Sequence, residues 1–284
     1  MINNLYIMKN NKNKGQIVLI LVLITVVGLT IGLSLISRTI TDIRISSQIE
    51  QSSRAFSAAE AGIETALRGN VEIGPTGTVS LEGASANYSV STVGGTDANY
   101  NLSLTEVGNS QTVWLVEHNA DDSINESGYS YPVSSTLEVC FGTRPDSNGA
   151  VLVSIFYKDG TDYKMAKKAI DSSVRDNGFI IADVLGNYCG GQFRFRKIIM
   201  PSTDANSNTN DFNISPSAIL LFLRLQPLYE ASAITIDPQS ILPVQGRIIS
   251  SIGQTATGVA RKIQVYQGYP VLPSLLDFSF FTEN

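Results

Sequence analysis

Few residues in this chain are of the types that carry out chemistry. The single histidine, His118, ends an alternating stretch in which Val113, Leu115 and Glu117 oppose Trp114, Val116 and His118. No cysteine or acidic cluster stands at ligand spacing from it, so it reads as a packed or surface side chain. Cys140 and Cys189 fall in separate strand-like stretches. They either pair outside the cytoplasm or remain two buried thiols. Asp204, Asn206, Asn208 and Asp211 place oxygen atoms at alternate positions, as the start of a calcium loop does. Thr209 and Ser215, however, occupy the places of that loop's Gly and distal Glu, which excludes an EF-hand and leaves a looser site against a plain polar loop. No metal is assigned.

Phe193-Arg194-Phe195-Arg196-Lys197 interleaves aromatics with bases, a pattern that serves single-stranded nucleic acid. The same alternation describes a strand with one buried and one solvated face, which is the preferred reading. The sequence holds no G-x-S-x-G elbow, phosphate loop, H-E-x-x-H or C-x-x-C. A non-enzymatic protein without a cofactor is expected. The formal net charge of −5 is that of an acidic chain and argues against a nucleic-acid partner.

The element that organises the chain lies near its start. Lys9, Lys12 and Lys14 precede Gly15, and the 20 residues Ile17 to Ile36 carry no charge. At about 1.5 Å per residue a helix of this length just crosses a hydrocarbon core of about 30 Å. Arg38 and Thr41 lead into more helix, not into a signal-peptide cleavage site. Lysines ahead of the span predict a cytoplasmic N-terminus and an exported remainder. Beyond the span, Ile45, Ile49, Ser52, Phe56, Ala59, Ile63 and Ala66 recur in steps of four and three on one predicted face. Glu50 and Arg54, then Glu64 and Arg68, are acid-before-base pairs four apart, and Gly69-Asn70 supplies a stop. Gly28 and Gly32 form a G-x-x-x-G spacing. It permits close helix approach or marks a segment that loosens, unless it only reflects how common glycine is in membrane helices.

Lys14-Gly15-Gln16 before the apolar run, with Arg54-Ala55-Phe56-Ser57-Ala58-Ala59-Glu60-Ala61-Gly62-Ile63-Glu64 further on, resembles the N-terminus of type IV pilin-like proteins, most closely the PilX-type minor pilins. The resemblance covers about the first 70 residues. It implies that a prepilin peptidase cuts between Gly15 and Gln16, that Gln16 becomes a methylated N-terminus, and that the helices of many subunits pack as a filament core. The assembly residues it implies are Ile20, Gly28, Gly32, Ile49, Phe56, Ala59, Glu60 and Ile63. At the fifth residue after the cut the family usually has Glu, thought to neutralise a neighbour's terminal amine, and here Ile20 stands. A buried carboxylate without a partner is costly, so Ile20 suits a minor subunit near a filament tip. Loss of the three leader lysines would take the formal charge to −8.

After the helix, Val71 to Ser110 reads as short strands with polar turns, and Val113 to His118 as a strand against the long helix. Leu137 to Phe141, Val151 to Tyr157, Tyr163 to Ala169, Phe193 to Ile199, Ile219 to Leu225 and Ile234 to Ile236 follow, bounded by turn formers. Arg247 to Ile252 and Val259 to Gln267 outline a last hairpin returning to the helix. The expected class is α+β, a long membrane-spanning helix followed by antiparallel sheets packed as a sandwich. The expected organisation is a leader over 1–15, the helix over 16–68 with 17–36 in the membrane, and helix-associated strands over 69–118. An inserted β-sandwich-like region over 119–215 and returning strands with a C-terminal tail over 216–284 complete it.

The function expected is a structural minor pilin. Its partners are other pilin subunits, the prepilin peptidase and the membrane, with an unknown surface ligand, and it becomes extracellular on assembly. Two alternatives stand beside it: a single-pass tethered adhesin or carbohydrate-binding protein that never assembles, and a type II secretion-like pseudopilin.

Overall fold

The computed structural model describes residues 14–69, 76–144, 146–202 and 211–273. Helix α1 (Lys14–Arg68) runs unbroken for 55 residues, about 82 Å at 1.5 Å per residue. It is long and apolar enough to cross a membrane. The two threonine hydroxyls within the apolar run are satisfied inside the helix itself, Thr25 donating to the Val22 carbonyl at 2.8 Å and Thr30 to that of Val27 at 2.8 Å. The two expected surface ion pairs form, Glu50–Arg54 at 2.7 Å and Glu64–Arg68.

The strands follow in the order β1 (Thr76–Leu81), β2 (Ala84–Gly94), β3 (Tyr100–Asn101), β4 (Gln111–Trp114), β5 (Leu137–Phe141), β6 (Ala150–Asp159), β7 (Asp162–Asp171) and β8 (Ile180–Ile181). Then come β9 (Asp183–Tyr188), β10 (Phe193–Ser202), β11 (Asp211–Ile214), β12 (Ile219–Leu228), β13 (Ile234–Pro238), β14 (Val244–Thr255) and β15 (Ala260–Gly268). They form three sheets: β1-β2-β14-β15 against the helix; β11-β10-β5-β13-β3, with β9 on β10; and β4-β12-β6-β7-β8. Pairing is antiparallel except for β10 with β11 and β7 with β8.

One buried cluster draws on the second and third sheets together. Val139 and Phe141 of β5, Phe195 and Ile199 of β10, and Ile234 and Ile236 of β13 meet Val151, Val153 and Ile155 of β6 and Leu220, Leu223 and Leu225 of β12. The strand around Val113, expected against the helix, instead pairs with β12. Both its faces are apolar, Val113 and Leu115 entering the large core while Trp114 and Val116 enter a second cluster. A strand so covered needs an apolar partner on each side, which the helix face alone does not supply. The return of the chain is also later than the expected 216: β12 and β13 belong to the other sheets, and β14 and β15 rejoin β2 beside the helix.

Two features fix the helix-associated sheet. Gly253 of β14 lies so near the helix that a Cβ there would sit 1.9 Å from the Ala55 carbonyl oxygen and 2.6 Å from the Ala59 nitrogen. A Cβ on Gly62 would meet the Ser251 hydroxyl at 2.3 Å. Small residues on both elements therefore set the helix–sheet distance. At the other end of β14, buried Gln245 reaches β4: its Oε1 accepts from the Trp114 N–H at 2.7 Å and its Nε2 donates to the Trp114 carbonyl at 2.8 Å. An amide side chain there completes backbone pairing where the strands diverge.

Backbone atoms cannot step aside as a flexible side chain can. Gly253→Ala is expected to cost at least about 2 kcal/mol, read as a lowered unfolding midpoint of the detergent-solubilised chain. An unchanged midpoint would contradict the close approach.

Candidate assembly interface

The expected helix stripe divides in the structure. Ile63 and Ala66 are buried against Val90 of β2 and Ile249 of β14, and Ala59 is buried beside Gly253. Ile49 and Phe56, placed on the same face from sequence, remain 65% and 47% exposed. The reason is geometric. A seven-residue repeat drifts by about 20° per repeat around a straight helix, and the sheet selects the side where it comes closest. That side carries Ala55, Ala58, Ala59, Gly62, Ile63 and Ala66. Ala55, Ala58 and Gly62 were missed as contact residues because their burial is weakly hydrophobic. Their signal was small size at helical spacing, with a glycine in the facing strand.

Gln51 accepts from Thr257 at 3.0 Å and Ser52 from Arg261 Nε at 2.8 Å, polar contacts that mark the upper limit of the sheet. Above them no described residue covers the helix. Ile20 is 52% exposed, and Ile43, Ile45 and Ile49 continue the apolar surface toward the sheet. Among the described residues, Gly28 and Gly32 have nothing within 4 Å of the place a Cβ would occupy. Glu60 is exposed beside the buried face. Gly15 and Gln16 lie in the first turns of α1, Gln16 exposed.

The other sequence candidates are dispersed. Cys140 and Cys189 form a disulfide that closes 49 residues of separation and joins β5 to the turn after β9. A loop of that size stabilises by about 4 kcal/mol in the chain-entropy model. Glu138 lies beside it and pairs with Arg196 at 3.4 Å, and the bonded sulfurs are not thiolate ligands. Phe193 and Phe195 are buried, while Arg196 and Lys197 face Asp183 at 3.5 and 3.4 Å. Neighbouring carboxylates thus pair with two of the three bases, Arg196 and Lys197, that an anionic strand would need. Asp204, Asn206 and Asn208 lie outside the described residues, and Asp211 opens β11. No family model, curated protein or solved structure matches the chain.

His118 stacks on Tyr269, ring centroids 3.8 Å apart, and meets Trp114 edge-on at 4.3 Å. Desolvation in this aromatic setting lowers its pKa, against the opposing pull of Asp122, which pairs with Arg247. The folded chain therefore holds the neutral ring more strongly than the unfolded chain does. Stability is full above the ordinary histidine value of 6.5 and falls as pH drops through it, because the unfolded state takes up the proton first. Carboxylates such as Glu126, held low by Lys158 and Tyr163, and Glu230, held low by the Asn148 N–H and Arg144, lose their contribution in a more acid window. His118→Phe keeps the stack and removes the titration. The melting temperature of this variant should be flat between about pH 6.5 and 5, where the parent declines; parallel profiles would contradict the assignment.

Proposed function

We propose that this chain is a non-enzymatic minor subunit of a type IV pilus-like filament. The observation that carries the reading is the uncovered apolar helix: above Gln51 and Ser52 no strand among the described residues packs on it. A hydrocarbon core accounts for about 20 residues of it, and Ile43, Ile45, Ile49 and the flank of Phe56 extend beyond such a span. Lateral packing against the helices of other subunits would cover both parts. The Gly15–Gln16 junction at the head of the run supports processing by a prepilin peptidase, and Lys9, Lys12 and Lys14 support a cytoplasmic N-terminus. Ile20 supports a place at or near the tip, since it neither offers nor requires a charged neighbour. In this reading the second and third sheets form an exported sandwich that contacts other subunits or a surface ligand.

Phe56 provides the test because it is apolar, exposed and away from the buried stripe. Phe56→Ser should leave the unfolding midpoint within about 0.5 kcal/mol of the parent and reduce recovery of the subunit in sheared filaments. Unchanged recovery would oppose lateral packing through this face and favour a membrane-tethered binding protein.

A further inference from the structure

The second and third sheets meet the helix-associated sheet at one end, where Gln245 of β14 pairs with Trp114. Trp114 lies opposite Phe222, and β12 runs on from there to Leu228, about 20 Å away. At that far end the β5–β6 loop (142–149) and the β12–β13 loop (229–233) enclose a pocket of about 310 Å³.

Its walls are preformed. Ser232 Oγ accepts from the Gly142 N–H at 3.2 Å and Glu230 Oε2 from the Asn148 N–H at 2.9 Å, so each loop is bonded to the other. Leu104, 65% exposed, forms one side, and Phe141, Gly149, Ala231 and Ala233 give an apolar lining. The polar groups carry both signs. Arg144 pairs with Glu230 and stands 3.8 Å from Asp146, while Thr143 and Ser147 add hydroxyls to the lining.

An anion here would meet the carboxylates of Glu230 and Asp146, and a cation the guanidinium. A neutral ligand rich in hydroxyls suits both, because a hydroxyl accepts from Arg144 and donates to Glu230 at once. Its C–H face would rest on the apolar lining. A pyranose ring combines these properties and fits the volume, whereas a helix, about 10 Å across, does not.

We propose that this pocket binds a neutral sugar, a hexose unit of a glycan, at the end of the two sheets away from the helix-associated sheet. The site gives the surface ligand of the pilin reading a chemical class, and it rests on that reading only for the sheets being exported.

The test uses the full chain, isotope-labelled, in a detergent without a sugar headgroup. Titration with the methyl glycosides of glucose, galactose, mannose and N-acetylglucosamine should give, for at least one of them, saturable amide shifts confined to 142–149 and 229–233. Ala231→Phe, which fills the pocket, and Arg144→Met, which removes the donor at an exposed position, should each weaken that binding about tenfold or more. The corresponding uronic acid should bind about tenfold more weakly than the neutral glycoside. Absence of shifts in these loops with every glycoside, unchanged affinity in Arg144→Met, or an acid that binds as tightly as the neutral sugar would each overturn the proposal. Binding is read on the purified chain without filaments, so its failure leaves the assembly reading standing, and failure of assembly leaves the sugar site standing.

Discussion

The rest of the molecule depends on a mismatch of length. Helix α1 is about 82 Å long, while the stretch its sheet covers, from Gln51 to Ala66, is about 24 Å. The remaining apolar surface has to be buried by lipid or by other chains, because burial is worth roughly 25 cal/mol per Å² and the exposed run is large. One part of the helix is packed on its own sheet, and the other exposes an apolar surface long enough to cross a membrane.

The covered part is held by close contact and contributes little hydrophobic area. Ala55 and Ala59 face Gly253, and Gly62 faces Ser251, so that helix and strand backbones approach without large side chains between them. Alanines bury little, yet their smallness brings Ile63 into reach of Val90 and Ile249. The same strand, β14, carries Gln245, which pairs with both backbone groups of Trp114. It thereby fixes the other sheets relative to the helix. Within those sheets, the disulfide between Cys140 and Cys189 ties β5 to the β9–β10 connection.

The sequence disclosed the elements better than their arrangement. The long helix and the strands from β5 onward that carry strong alternation were legible because turn formers and charge changes bound them sharply. β9 was not, since Asp183-Val-Leu-Gly-Asn-Tyr188 is short and interrupted by glycine. The placement of β4 failed for a physical reason: alternation shows that a strand has two faces but not what lies against each, and here both are buried. For the helix, period alone put Phe56 and Ile49 with Ile63. The choice of buried side came from Gly253, some 190 residues distant in the chain, a relation that no local pattern encodes.

The most direct measurement of the central claim is the N-terminal residue of the protein recovered both from membranes and from sheared surface filaments, by intact mass and peptide sequencing. Assembly by lateral helix packing predicts Gln16 at the terminus, methylated, in both fractions. A chain that still carries Met1 and is found only in membranes would contradict it, and the long helix would then be a plain anchor.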